Sequence, residues 1–97
     1  MNVSDYLNKA ADIIEEKGWI QGDFETEDGV CVNRAITLVT WSDRGRPMDI
    51  ELSDQVRRAL REYLSSAPLS LYKWNDKPGR TKEEVLAALR GAAEATR

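Results

Sequence analysis

Apolar residues recur at helical spacing over most of the chain. Val3, Tyr6, Leu7, Ala10, Ala11 and Ile14 fall on one face with charges between them, and Gly18 stands where a helix would stop. A first helix over residues 3–17 follows. Trp19, just past the glycine stop, is expected to fold back over the last turn as a core plug. In the second apolar segment, residues 30–41, Val30, Val32, Ile36, Thr37, Val39 and Thr40 are β-branched and suit a strand. Yet Val32, Ala35, Ile36 and Val39 lie at helical intervals, and the run is long for a strand, so a buried helix is the reading.

A third helix is expected to start at Ser53 as N-cap, with Asp54 in its first turn. Val56, Ala59, Leu60, Tyr63, Leu64 and Ala67 form its apolar stripe until Pro68 ends it. The last helix, about 81–95, buries Val85, Leu86, Leu89, Ala92 and Ala93. Thr81 is its N-cap, and Glu84, three residues on, is placed to reach back to the Thr81 amide in a capping box. Gly91 either weakens this helix slightly or lets another helix cross closely.

Between the helices, residues 21–29 read as a solvated acidic loop. A calcium loop beginning at Asp23 would need glycine sixth and glutamate twelfth, where Asp28 and Arg34 stand. Residues 42–52 read as a connection, with a short extended piece over Met48 to Leu52. Residues 68–80 form an ordered corner in which Leu69 and Leu71 dock inward, Tyr72 and Trp74 flank Lys73, and Asn75 and Asp76 bond nearby amides. The pattern describes an all-α, single-domain bundle of about four helices spanning residues 1–97, with an ordered Trp-Asn-Asp turn before the last one.

Composition narrows the function more than the fold. The 97 residues include no histidine and a single cysteine, Cys31. Histidine-dependent nucleophilic catalysis, ordinary zinc sites and an internal disulfide are therefore excluded. No enzyme, cofactor or metal is expected, and Cys31 reads as a small core residue. No apolar run reaches the ~20 residues of a membrane span and no signal peptide is evident, so the expected location is cytoplasmic.

The net charge of −3 is unevenly spread: residues 1–49 hold five Lys/Arg against ten Asp/Glu, and residues 50–97 hold nine against seven. An acidic first half disfavours general nucleic-acid binding. Arg57, Arg58 and Arg61 still cluster within about one turn of the third helix. With Lys73 and a stacking Tyr72 or Trp74, they form the alternative nucleic-acid face. A helix-turn-helix is disfavoured because about eleven residues separate the two middle helices.

The Lys17-Gly18-Trp19 end of the first helix, the segment CVNRAI and the run WNDKPGRTKEEVLAAL together resemble a family of small proteins from actinobacteria and their bacteriophages without an established activity. The similarity spans most of the chain and is strongest over residues 74–93. Two departures stand out. Asn33-Arg34-Ala35 replaces a small Gly-Ala step after the cysteine, and Lys17 stands where the family often has histidine. The resemblance implies that Gly18, Trp19, Trp74, Asn75, Asp76 and Thr81 build the fold.

The leading expectation is a non-enzymatic interaction protein, encoded by a phage or acquired element, that binds one host or phage protein. Its candidate surfaces are the Trp41–Met48 loop and the neighbourhood of Trp74, Lys77 and Arg80, since Trp and Arg are favoured interface anchors. Monomer and homodimer are both compatible with four short helices.

Overall fold

A computed structural model describes residues 2–41, 50–64 and 70–97. Five helices and one two-stranded ribbon occupy these residues, so the fold is mostly all-α. Helix α1 (Val3–Lys17) begins in a capping box that the sequence reading missed: the Asp5 amide donates to Asn2 Oδ1 at 3.0 Å and the Asn2 amide to Asp5 Oδ2 at 3.2 Å. Leu7, Ala10, Ala11 and Ile14 are fully buried on its inner face. The helix stops as expected at Gly18, which adopts φ 94°.

The acidic loop is solvated as expected, residues 21–28 being exposed, and it also contains a short ribbon. Strands β1 (Glu25–Thr26) and β2 (Gly29–Val30) pair antiparallel, Glu25 opposite Val30 and Thr26 opposite Gly29. Behind the ribbon, the Val30 amide donates to Gly18 O at 3.1 Å and the Ile20 amide to Val30 O at 3.2 Å. The backbones cross so closely that a Cβ on Gly18 would strike Asp28 O, and one on Gly29 would strike the Gly18 carbonyl. Both positions also have positive φ, so glycine is required there twice over.

Within residues 30–41 periodicity prevails over β-propensity from Val32 onward: α2 spans Val32–Thr40, whereas Val30, expected in the helix, belongs to β2. Its two threonines are accommodated by bonding back along the helix, Thr37 Oγ1 to Asn33 O at 3.0 Å and Thr40 Oγ1 to Ile36 O at 2.8 Å. Cys31 is its N-cap, Sγ accepting from the Arg34 amide at 3.4 Å. The thiol is buried, and burial pushes its pKa above the ordinary value. A reactive role is correspondingly disfavoured.

Helix α3 (Ile50–Tyr63) starts earlier than the sequence suggests. Ser53, read as an N-cap, is fully buried inside the helix, and the extended piece expected over Met48 to Leu52 is helical from Ile50 onward. Glu51 in the first turn suits the positive end of the helix dipole. Met48, and the Ala67, Pro68 and Leu69 of the following expectation, lie outside the described residues. The corner after them contains an unanticipated short helix, α4 (Leu71–Asn75).

Helix α5 (Lys82–Ala95) is capped by Thr81, whose Oγ1 accepts from the Glu84 amide at 3.2 Å. The reciprocal half of the expected box is replaced: the Glu84 carboxylate instead pairs with Arg80 at 2.9 Å and accepts from the Thr81 hydroxyl at 3.4 Å. Helix α1 is central, packed on α5, α2 and α3. Ala88, Ala92 and Ala93 of α5 meet the same core as Ala10 and Ala11, and small side chains on both helices permit close approach. The ends of this pair are tied by Ser4 Oγ donating to Ala93 O at 2.6 Å. Arg90 spans the same interface, donating to Asn8 O and pairing with Asp12 at 2.7 Å. Gly91 leaves space that the Tyr63 side chain of α3 occupies, so its small size serves a side-chain contact between α3 and α5.

Candidate functional site

The Trp-Asn-Asp corner converges on Asn75, which is 1 % exposed. Its Oδ1 accepts from Trp19 Nε1 at 2.7 Å and from the Val32 amide at 3.0 Å; its Nδ2 donates to Ile20 O at 3.1 Å and Asp76 Oδ1 at 2.9 Å. All four hydrogen-bonding capacities of the amide are used. One of them satisfies a first-turn amide of α2, which has no partner within its own helix. Thus a single side chain joins the stop of α1, the start of α2 and the end of α4.

Neighbouring contacts extend the lock. Asp76 Oδ1 accepts from the Gly22 amide at 3.0 Å, and Gln21 Nε2 donates to the carbonyls of Asn75 at 3.0 Å and Lys77 at 2.8 Å. Trp74 is 5 % exposed, with the Arg80 guanidinium 4.2 Å above its ring and Arg80 Nε donating to Trp74 O at 3.0 Å. The cation–π contact adds on the order of 1 kcal/mol to this packing.

The proposed anchor at Trp74 is corrected by this geometry. The indole is buried in the core under Arg80, not exposed as an anchor would be, and Arg80 is engaged with Trp74 and Glu84. Only Lys77 of that set is exposed. Trp74 is buried in the core and Trp19 packs against it part-buried, while Gly18, Asn75, Asp76 and Thr81 serve the turn and the caps.

Trp41 behaves differently. It follows the last residue of α2 and is 53 % exposed. It borders an open groove of about 310 Å³ between α1 and α2, lined also by Ile13, Leu38 and Val39, with Lys9 and Asp12 at hand. The loop expected to share this role lies, at residues 42–49, outside the described residues.

The arginines of α3 do not form one face. Arg58 and Arg61 are exposed, as is Lys73 on α4, whereas Arg57 turns inward against α2. Its Nε donates to Asn33 Oδ1 at 3.0 Å, one terminal nitrogen to Thr37 Oγ1 at 2.8 Å and Asn33 O at 3.3 Å, and the other to the buried Ser53 hydroxyl. Every acceptor is neutral. Burial pulls the Arg57 pKa below its ordinary value, opposed by the charge of Asp54 one turn away. With Trp74 buried, Tyr72 is the exposed aromatic left for the alternative face. Arg57, Arg61 and Tyr72 border a second cleft of about 340 Å³.

The contributions of Asn33, Thr37 and Ser53 escaped the sequence reading. Asn33 carried the available signal: a polar amide inside an otherwise apolar helical segment needs a partner when buried. Among the described residues, no group of three or more metal-type ligands occurs, and no helix is long and apolar enough to cross a membrane.

Fold and site together define a small, mostly helical domain organised around a saturated asparagine lock, with open clefts on the α1–α2 and α3–α4 sides. The chain belongs to a family of unknown function, DUF6197, whose sequence profile matches residues 1–95. Comparisons with curated proteins and with solved structures gave no match.

Proposed function

We propose that this chain is a non-enzymatic interaction protein, phage-encoded and acting in an actinobacterial cytoplasm, which binds and modulates a host or phage protein through the groove headed by Trp41. The exposure of Trp41 carries this reading. A half-exposed tryptophan beside the part-buried Ile13, Leu38 and Val39 supplies a large, rigid apolar contact of the kind that dominates interface energetics. Lys9 and Asp12 give the groove a mixed-charge rim suited to a folded protein surface rather than to a phosphate backbone.

The test has two stages. Tagged protein captures partners from an actinobacterial lysate beside a Trp41→Ala column, and the captured protein is then purified and titrated calorimetrically against both forms. The expected result is a stoichiometric complex that Trp41→Ala weakens by at least about 2 kcal/mol, roughly 30-fold. Equal affinity for both forms would remove the groove from the account, and failure of the purified proteins to bind directly would remove the interaction reading.

A further inference from the structure

The cleft between α3 and α4 combines three properties that the structural role of Arg57 does not require. First, Arg57 holds a fixed positive charge: four hydrogen bonds to Asn33, Thr37 and Ser53 immobilise the guanidinium, yet no carboxylate lies within ion-pair distance among the described residues. Neutral acceptors position an arginine without neutralising it. Second, Arg61 sits one turn further along α3 and lines the same cleft, exposed and without an ion-pair partner among the described residues. Two like charges four residues apart disfavour the helix unless something of opposite sign comes between them.

Third, the α4 side contributes hydroxyls. Ser70 Oγ accepts from the Lys73 amide at 3.4 Å, and its hydroxyl proton has no acceptor among the described residues. The Tyr72 hydroxyl has no hydrogen-bond partner among the described residues, and Tyr72 also lines the cleft. Buried Leu71 supplies an apolar lining. Asp54 is the opposing group, so the cleft carries two cations against one carboxylate.

We infer that this cleft binds the phosphate group of a small phosphorylated molecule, with Arg57 as the preset charge, Arg61 as the closing charge, and Ser70 and Tyr72 as hydroxyl donors. Four of the five Arg57 N–H donors are taken by Asn33, Thr37 and Ser53, so Arg57 contributes its charge and one remaining N–H, and Arg61 supplies the planar pair of donors that matches adjacent phosphate oxygens. The cleft's volume admits a phosphate and a short organic portion, and Asp54 limits its appetite for highly charged polymers. The site is separate from the Trp41 groove, which lies between α1 and α2.

The test is a titration of the isotopically labelled full chain with inorganic phosphate, read from backbone amide shifts at constant ionic strength, with chloride as the control anion. Saturable shifts are expected at Arg57, Arg61, Ser70 and Tyr72, with a dissociation constant in about the millimolar range. Arg61→Ala, a change at an exposed position, should weaken binding about tenfold, and Asp54→Asn should tighten it about threefold by removing the repulsive carboxylate. A purely structural Arg57 would show neither change. Non-saturable shifts, or equal shifts in Arg61→Ala, would overturn the inference. So would a single-stranded oligonucleotide binding across Arg58 and Lys73 while phosphate leaves the cleft unmoved, since that result assigns the charge to a nucleic-acid face. Trp41→Ala should leave the phosphate titration unchanged, which separates this site from the protein-binding groove.

Discussion

Two polar side chains fasten α2 to the rest of the molecule, and they do so in opposite ways. Asn75 is neutral, almost wholly buried and saturated, with two donors and two acceptors around one amide. Arg57 is charged, half-buried and held by neutral groups at the border of an open cleft. The first arrangement has no capacity left for a ligand, so it serves the fold alone. The second has no ion-pair partner among the described residues and borders a cleft open to solvent, with Asp54 one turn away. Burial with saturation marks structure, whereas burial without charge compensation marks a place where something of opposite sign fits.

The contrast is tested most severely at the saturated side. Asn75→Ala strips the partner from the Trp19 indole N–H and the Val32 amide at once, and should lower stability by about 3 kcal/mol, a fall of about 15 °C in Tm by calorimetry. A loss below about 1 kcal/mol would mean that water replaces the amide and that the corner is no lock.

Arg57→Ala should cost less, about 1.5 kcal/mol in urea unfolding, because Thr37 Oγ1 retains its bond to Asn33 O and the space vacated at the border of the open cleft admits water to the buried acceptors. An effect as large as that of Asn75→Ala would erase the distinction between the two fasteners. At the rim of the same corner, Thr81→Ala removes only the cap of α5 and is expected to cost about 1 kcal/mol in thermal unfolding. The smallest change belongs to the groove: Trp41→Ala should alter stability by no more than about 0.5 kcal/mol, since the indole is half in solvent.

Much of this contrast could be anticipated from the chain, but unevenly. The stop of α1 at Gly18, the helical character of residues 32–40 and the cap at Thr81 rest on local periodicity and capping chemistry, which the sequence carries directly. Ser53 misled because serine before an apolar stripe looks like a cap, whereas here its small hydroxyl is buried inside α3 and accepts from Arg57. Helix α4 is too short to display a period, and its Trp-Asn-Asp end has turn-forming composition. Nor does local sequence tell an outward tryptophan from an inward one. Trp41 and Trp74 each follow an apolar stretch, and only tertiary packing exposes the first and sinks the second beneath Arg80. The same limit applies to Arg57 and Arg61, helix neighbours by spacing, because the acceptors that draw Arg57 inward lie on other turns and another helix.

The most direct test of the functional account compares Trp41→Ala with wild type in a single calorimetric titration of the captured partner, both forms being confirmed to share one Tm. The account predicts an unaltered fold with binding weakened by about 30-fold or more. Unchanged affinity in the intact Trp41→Ala protein would contradict it and leave the open groove without the role assigned to it.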